Sequence, residues 1–236
     1  MQSKPLHIIM PVKDSLATVR EAVASLYASE SRDWQFTVYD DFSSPETAAA
    51  LDEMAAEYGF TVVHWAEHTA HPSPNYLLTL QDAQRKVLEA GADLMIVESD
   101  VLVRPDTISR LRNYSDGPGM IAAVTHDEQG QVNFPYLYAK RWKAEPVITT
   151  KRFSFCCTLL TLAFLQAFPF SELNPEKNWF DVTISHKSVE LGFRNILLMD
   201  APVLHKPHSS RPWKQLKYTH PIKYYLLKLL HRRDKI

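Results

Sequence analysis

Two acidic residues, Glu98 and Asp100, stand one residue apart directly after a short apolar segment, residues 92–97. The segment follows Gly91, a residue typical of helix ends, and its Leu, Met, Ile and Val side chains predict a buried strand of a parallel sheet. Carboxylates at the carboxyl end of such a strand lie where open α/β sheets bind ligands. Because an unpaired buried carboxylate costs on the order of several kcal/mol, we expect a cation or another partner beside this pair.

The chain contains few glycines, and this limits how it can bind a phosphate. Its six glycines exclude both the GxGxxG and the GxxxxGK[ST] patterns of phosphate-binding loops. If a nucleotide binds, its diphosphate must therefore be neutralised by a metal ion or by basic side chains. Carboxylate oxygens suit Mg²⁺ and Mn²⁺, and both ions also take diphosphate oxygens as ligands.

The segments that precede the acidic pair predict three strand–helix units that would position it. Strand–helix alternation of this kind is typical of a parallel, doubly wound sheet. The predicted elements are strand 6–12, a helix capped by Ser15, strand 35–39, a helix capped by Ser44 with Pro45 at its first position and Gly59 at its end, strand 60–65, and a helix from Asn75 to Glu89 that starts after Ser73-Pro74.

The second half of the chain has a less regular pattern. It predicts a short helix after Pro105 to about Tyr114, strands at residues 120–124 and 132–138, a strand then a helix within residues 153–168, a helix from Asn178 to Leu191 ended by Gly192, short strands at residues 195–199 and 202–204, and a basic helix at residues 221–231.

The composition is typical of one soluble α/β protein of ordinary size. The chain has 236 residues, of which 45% are hydrophobic and 22% charged. Its two cysteines are adjacent, Cys156-Cys157, so they form no disulfide framework, and we expect buried core thiols in a reducing compartment. There is no N-terminal apolar signal region and no run of 18 apolar residues, which predicts a cytoplasmic protein.

The charge is distributed unevenly along the chain. From Arg211 onward there are eight Lys and Arg residues and one Asp, a balance of +7, whereas the rest carries 18 basic and 26 acidic residues, a balance of −8. The acidic body argues against a nucleic-acid partner. The basic tail, residues 211–236, indicates either a helix lying on an anionic membrane surface or a helix docked on its own domain with a solvated basic face.

Five short motifs occur in an order that resembles a family 2 glycosyltransferase of the GT-A fold. They are Met-Pro-Val-Lys-Asp at 10–14, Asp-Asp-Phe-Ser-Ser at 40–44, Glu-Ser-Asp at 98–100, Trp-Phe-Asp at 179–181, and His205. The resemblance covers roughly residues 6–210. It implies a GT-A-like (Rossmann-like) α/β fold, with a mixed, mostly parallel sheet flanked by helices. It also implies inverting transfer of a sugar from a nucleotide donor, usually a UDP-sugar, with Mg²⁺ or Mn²⁺.

By this resemblance, the first two motifs form the nucleotide pocket. An acidic residue at Asp40 or Asp41 would contact the base, because a carboxylate accepts the imide N–H of uracil, which cytosine lacks. Pro11, Val12 and Asp14 would line the same pocket. The alternatives are an acidic pair that starts a turn before a capped helix and a plain strand end.

The resemblance likewise implies a metal site at the third and fifth motifs. Asp100 would ligate the ion directly, and His205 would complete the set of ligands. Glu98 would contact the ribose, or would hold a ligand in place without touching the ion. An imidazole ligand favours Mn²⁺ over Mg²⁺. A surface turn before Arg104 and a loop or core histidine remain as alternatives, and His208 is a second candidate for the histidine ligand.

The fourth motif supplies the catalytic base in this family. Asp181 would take the proton from the acceptor hydroxyl as that oxygen attacks the anomeric carbon. The family often has Glu-Asp where this chain has Phe180-Asp181. An acid in the first turn of a helix is also favoured by the helix dipole, so a purely structural role for Asp181 stays open.

The sequence therefore predicts a domain at residues 1–210, with a nucleotide-binding half (1–125) and an acceptor half (126–210), followed by the tail. A QxxRW motif of processive enzymes is absent, since the nearest segment is Ser210-Arg211-Pro212-Trp213. We expect transfer of a single sugar to a saccharide or lipid-linked acceptor, at the inner face of the membrane if the tail binds there. A nucleotidyltransferase and a non-catalytic nucleotide-sugar-binding relative are the alternatives.

Overall fold

The computed structural model describes residues 4–176 and 179–206, together with residues 220, 222, 223, 225 and 226. Strands and helices alternate along the chain. In order they are β1 Leu6–Val12, α1 Leu16–Tyr27, β2 Gln35–Asp40, α2 Pro45–Tyr58, β3 Thr61–His64, α3 Trp65–His68, α4 Tyr76–Ala90, β4 Asp93–Val97, β5 Val101–Leu102, α5 Thr107–Arg112, β6 Pro118–His126, β7 Pro146–Ile148, β8 Cys157–Leu160, α6 Leu162–Ala167, α7 Phe180–Glu190 and β9 Arg194–His205.

Within the described ranges, nine strands form a single mixed sheet. Eight of them follow the order β3-β2-β1-β4-β8-β6-β9-β5, and β7 pairs with β9 on a separate branch. Strands β3, β2, β1 and β4 run parallel, as do β6 and β9. Strand β8 is antiparallel to both β4 and β6, and β5 and β7 are antiparallel to β9. The predicted mixed α/β sheet is thus confirmed.

Helices cover both faces of the sheet because the strands are apolar on both sides. In β1, Leu6, Ile8 and Met10 belong to the core under α1, α2 and α5, whereas Ile9 belongs to the core under α4, α6 and α7. Side chains alternate between the two faces of a strand, so each strand contributes to both cores. This double coverage leaves the edge formed by strand ends as the place where polar side chains gather.

Most helix boundaries in the first half match the sequence prediction. Ser44 caps α2 by accepting a hydrogen bond from the Thr47 amide at 3.3 Å, and Gly59 and Gly91 end α2 and α4 with positive φ angles of 80° and 62°. The prediction for Ser15 was wrong in one respect. Ser15 precedes α1, but its own φ is 65° and its side chain makes no capping hydrogen bond.

Two predictions for the second half were wrong. Residues 132–138 form no strand: Val132 makes one isolated bridge to His126, and a 3₁₀ turn follows at Leu137–Ala139. Pro135, which lacks an amide hydrogen, interrupts the ladder there. The two short strands expected at 195–199 and 202–204 are instead one strand, β9, with a shift of register against β6 that accommodates Pro202.

The C-terminal tail lies almost wholly outside the described residues. Of the predicted basic helix, 221–231, only residues 222, 223, 225 and 226 are described, and these are helical. Asn178, the predicted start of α7, and His208 also lie outside the described residues. Among the residues that are described, no helix has both the length and the apolar character needed to cross a bilayer.

Candidate functional site

The carboxyl ends of β2, β1 and β4 meet at one edge of the sheet because these strands are parallel neighbours. The backbone pairing places Val12 at the end of β1 directly beside Asp40 at the end of β2. Strand β4 pairs with the other side of β1 and ends at Val97, one residue before Glu98. Three of the five predicted motifs therefore follow strand ends along the same edge, the position where α/β sheets bind ligands.

Asp14 joins the loop after β1 to the loop after β2. Its Oδ1 accepts a hydrogen bond from the Ser44 amide at 2.8 Å, and its own amide donates to Ser43 Oγ at 2.8 Å. Asp14 and Phe42 both have left-handed φ angles, 56° and 58°, a backbone conformation that is uncommon outside glycine and that clusters at functional sites. Lys13 donates to the Phe42 carbonyl oxygen. The predicted pocket residue Asp14 is thus a structural tie between the two loops.

Asp40 is buried, with only 2% of its surface exposed. Its Oδ1 accepts from the Ser43 amide at 3.1 Å, and its Oδ2 lies 2.9 Å from Nδ1 of His64 at the end of β3. Nε2 of His64 lies 3.1 Å from Oδ1 of Asp52. Burial alone would lower the pKa of His64, but its hydrogen bonds to Asp40 and Asp52 outweigh burial and raise that pKa. Sequence reasoning did not identify His64, although the register Asp40–His64 follows from aligning the two strand ends.

Asp41 points to a different part of the edge from Asp40. Its Oδ2 accepts from Ser73 Oγ at 2.6 Å and from the Asn75 amide at 3.0 Å, and its Oδ1 accepts from Asn75 Nδ2 at 2.8 Å. Asn75 precedes α4, so Asp41 anchors the start of that helix. The structure thereby separates two acids that the sequence could not distinguish: Asp40 is paired with β3, and Asp41 is partly exposed beside the loop before α4.

Asp100 and His205 come together where β5 pairs with the end of β9. Oδ2 of Asp100 lies 3.5 Å from Nε2 of His205, and both side chains are buried. Nδ1 of His205 lies 2.7 Å from the Phe134 carbonyl oxygen, which can only accept, so Nδ1 carries the proton and Nε2 is unprotonated in the neutral ring. Burial would lower the pKa of His205, but the carboxylates of Asp100 and Glu98 outweigh burial and raise it.

Glu98 faces Cys156, for which the sequence predicted only a core thiol. Cys156 Sγ donates to Glu98 Oε2 at 3.1 Å, and both cysteines are buried, as predicted. Burial, followed by the charge of Asp100, raises the pKa of Glu98 to about 7. One ligand atom each from Glu98, Cys156 and His205 lies within 4.8 Å of the others, a spacing that allows the three to share a metal ion. Cys156 reaches this place because β8 runs antiparallel to β4, a pairing that no local pattern reveals.

Asp181 lies in the first turn of α7, where its Oδ1 accepts from the Val182 amide at 2.9 Å. The helix cap is Trp179, whose side chain makes no capping bond. Tyr76 connects this helix to Glu98: burial raises the pKa of the Tyr76 hydroxyl well above its usual value, followed by the charges of Glu98 and Asp181. The Tyr76 ring packs on Phe180, with centroids 6.4 Å apart. Phe180, which stands where the family often has Glu, is therefore a core residue beside the candidate catalytic base.

One concave surface of the described residues lies away from all the predicted site residues. It is lined by side chains that include His7, Trp34, Thr37 and Lys86, near the amino ends of β1 and β2. The candidate chemistry is at the opposite ends of these strands, so we place the functional site at the carboxyl edge.

The sheet topology and this acidic edge define an α/β protein with a candidate ligand site at the carboxyl ends of its parallel strands. A model of the glycosyl transferase family 2 matches residues 7–171, and the chain belongs to this family. The matched region includes the acidic edge and Cys156, whereas Asp181 and His205 lie beyond it. A comparison with curated protein sequences found no match.

Solved structures of glycosyltransferases share the fold. GalNAc-T7 with UDP, GalNAc and Mn²⁺ superposes with a TM-score of 0.66 at 13% identity, over 89% of this chain and 45% of that one. Staphylococcus aureus TarS 1–349 superposes with a TM-score of 0.64 at 16% identity, over 94% of this chain and 65% of that one. The mannosyltransferase PcManGT from Pyrobaculum calidifontis, with GDP-Man and Mn²⁺, superposes with a TM-score of 0.62 at 16% identity, over 98% of this chain and 65% of that one. These likenesses confirm the predicted GT-A-like fold, and this chain spans less than two thirds of each of these relatives.

Proposed function

We propose that this protein transfers a single sugar from a UDP-sugar to a saccharide or lipid-linked acceptor, with inversion at the anomeric carbon. The observation that carries the proposal is the 3.5 Å approach of Asp100 to His205 at the carboxyl edge of a family 2 sheet. Two of the structural relatives were solved with UDP or a UDP-sugar, and TarS was solved with both in separate structures. Their ligands support a uridine nucleotide as the donor carrier.

For recognition of the uracil ring, we assign the direct contact to Asp41 and a supporting role to Asp40. The side chain of Asp40 is 3% exposed and already holds His64, so it offers little surface to a ligand. Asp41 is partly exposed, and its three hydrogen bonds leave acceptor capacity, because a carboxylate has about four lone-pair positions. An uncommitted lone pair on Oδ1 would accept the imide N–H of uracil. Pro11, Val12 and the Asp14 tie would shape the pocket around the ring.

The residues of the Glu98–Asp100 turn fit a divalent cation. Asp100 provides a carboxylate, and His205 presents Nε2 toward it while Nδ1 is held by the Phe134 carbonyl. Bound there, Mn²⁺, or less favourably Mg²⁺, would offset negative charge on the diphosphate leaving group. Glu98 would hold the ribose or orient the turn.

For the chemical step, Asp181 would accept the proton of the acceptor hydroxyl. Asp181 lies in the first turn of α7. Its charge and the charge of Glu98 both raise the pKa of the Tyr76 hydroxyl. The candidate base and the candidate donor site therefore share one neighbourhood. We also propose the division of labour that the motif order implies, with residues 1–125 binding the nucleotide and residues 126–210 positioning the acceptor.

We further propose that residues 211–236 contact an anionic membrane surface. This segment carries a net charge of +7. Ile222, Tyr225 and Leu226 are helical, exposed and spaced three and four residues apart, which places them on one face. Deleting residues 221–236 should reduce binding to vesicles of phosphatidylglycerol and leave UDP binding unchanged. Equal vesicle binding by the truncated protein would remove this part of the proposal.

Turnover measured on a panel of nucleotide sugars tests the proposed function. With a UDP-sugar and Mn²⁺, slow release of UDP and free sugar is expected even without an acceptor. A nucleotidyltransferase would instead form a nucleotide sugar from UTP and a sugar phosphate and release pyrophosphate. A non-catalytic relative would show a thermal shift with the donor and no release of product. Either of these results would replace the proposal by the corresponding alternative.

A further inference from the structure

The side chains of Glu98, Cys156 and His205 form a compact mixed-donor cluster. One carboxylate oxygen, one sulfur and one imidazole nitrogen lie within 4.8 Å of one another. The three residues come from separate parts of the sheet: the turn after β4, the residue before β8 and the end of β9. Both Cys156 and His205 are buried, with 2% and 5% exposed. The fold therefore places a thiol beside a carboxylate and an imidazole in a site largely shielded from solvent.

Hydrogen bonds hold each member of this cluster in position. The Glu98 amide donates to the Cys156 carbonyl at 3.0 Å, and Cys156 Sγ donates to Glu98 Oε2 at 3.1 Å. His205 Nδ1 donates to the Phe134 carbonyl at 2.7 Å, so in the neutral ring Nε2 carries the electron pair that a metal ion would take. A histidine that ligates a metal typically donates its other ring nitrogen to a carbonyl or carboxylate in this way.

We propose that Glu98, Cys156 and His205 together bind a thiophilic divalent ion, Zn²⁺, through oxygen, sulfur and nitrogen. Such donors are the common ligands of zinc, whereas thiolates are poor ligands for Mg²⁺. Bonds of about 2.0–2.3 Å in a tetrahedral site separate ligand atoms by roughly 3.3–3.8 Å, so the cluster needs to contract by at most about 1–1.5 Å. As the Zn–S bond forms, the Cys156 S–H bond breaks and its proton leaves to solvent, with no change of oxidation state.

This ion would share His205 with the Asp100 site proposed for Mn²⁺. One imidazole nitrogen cannot ligate two ions, so Zn²⁺ and Mn²⁺ should exclude each other. Zn²⁺ would therefore inhibit Mn²⁺-supported donor binding. Only this competition rests on the proposed function, because the zinc site itself needs neither nucleotide nor turnover.

Cadmium provides a direct optical test, because a Cd²⁺–thiolate bond absorbs in the ultraviolet. The chain has two cysteines, so Cys157→Ser leaves Cys156 as its single thiol. Cys157 is a matched control: it is the adjacent residue, it is buried, and burial raises its pKa to about 12. One equivalent of Cd²⁺ should produce the absorption band in the parent and in Cys157→Ser, and no band in Cys156→Ser. Zn²⁺ affinity, measured by competition with a chromogenic chelator, should fall at least roughly 10-fold in Cys156→Ser.

Absence of the band in a folded Cys157→Ser protein would overturn the proposal, as would a band or parent-like Zn²⁺ affinity in Cys156→Ser. The Cys157→Ser result is decisive even where Cys156→Ser fails to fold. Failure of the proposed function is recognised separately, by the absence of any Mn²⁺-dependent thermal shift with UDP. A Cd²⁺ band without that shift would leave the zinc site in place and remove only the competition.

Discussion

Oδ2 of Asp100 lies 3.5 Å from Nε2 of His205, although one residue follows β4 and the other ends β9. The contact exists because β5 pairs antiparallel with the last residues of β9, with Val101 opposite His205. Two residues far apart in the sequence thereby form the centre of the proposed donor site.

Asp100→Asn should abolish the metal-dependent part of UDP binding. In the parent, UDP with Mn²⁺ at about 100 times its Kd should add about 2.7 kcal/mol to the free energy of unfolding. The amide is a weaker metal ligand and carries no charge, so most of the increment over UDP with EDTA should disappear. Thermal unfolding with Mn²⁺ or EDTA measures this. Asp116→Asn is the control, since the Asp116 side chain is 81% exposed. A parent-like increment in Asp100→Asn would show that the metal site lies elsewhere.

Asp181→Asn should leave folding and UDP affinity close to those of the parent and lower kcat by about 10²–10⁴-fold. The asparagine oxygen can still accept the Val182 amide, whereas the proton acceptor is lost. Steady-state kinetics and a melting curve check both parts. Glu190→Gln, at the other end of α7 with an exposed side chain, is the matched control. An early melting transition in Asp181→Asn would indicate a structural role instead, and parent-like turnover would remove Asp181 from the mechanism.

The variants Asp41→Asn and Asp40→Asn should distinguish the residue that recognises uracil from the residue that stabilises the fold beside it. If Asp41 accepts the uracil imide N–H, the parent should bind UDP more tightly than CDP, by roughly 10–100-fold, the equivalent of a charged hydrogen bond of about 1.5–3 kcal/mol. Asp41→Asn should lose most of this preference, because its amide oxygen is a weaker acceptor. Asp40→Asn should retain the preference and unfold at a lower temperature, because the His64 partner is weakened. Isothermal titration with both nucleotides gives the comparison, and unchanged UDP selectivity in Asp41→Asn would contradict the assignment.

His64→Asn should make the stability of the protein less dependent on pH. The pKa of His64 is raised in the folded state, so folding takes up a proton there. Its stabilising contribution is complete below the unfolded value, near 6.5, and is lost as the pH rises through the folded pKa. The difference in unfolding free energy between parent and His64→Asn should therefore be larger at pH 6 than at pH 9. Urea unfolding at both pH values measures it, with His71→Asn in an exposed loop as the control. A difference that grows toward pH 9 would reverse the sign and refute the charged pairing.

The edge formed by the ends of the parallel strands was predictable because the sequence immediately around each strand end identifies it. Residues 6–12, 35–40 and 93–97 are largely apolar runs that end at, or are directly followed by, charged residues, and parallel strands bring such ends together whatever their order. The N-cap Ser44 and the glycines at 59 and 91 depend on neighbouring backbone geometry alone, and they were predicted for the same reason.

The partners of each side chain were decided by pairings between distant segments. Asp40 and Asp41 are identical in local sequence terms, yet one holds His64 of β3 and the other holds Ser73 and Asn75 before α4. Cys156 looked like a core thiol until the antiparallel pairing of β8 with β4 placed it against Glu98. Strand order and direction depend on how the whole chain packs its two cores. The sequence alone therefore determined the residue types at the site, and the tertiary structure determined which of them share a hydrogen bond, a charge or an ion.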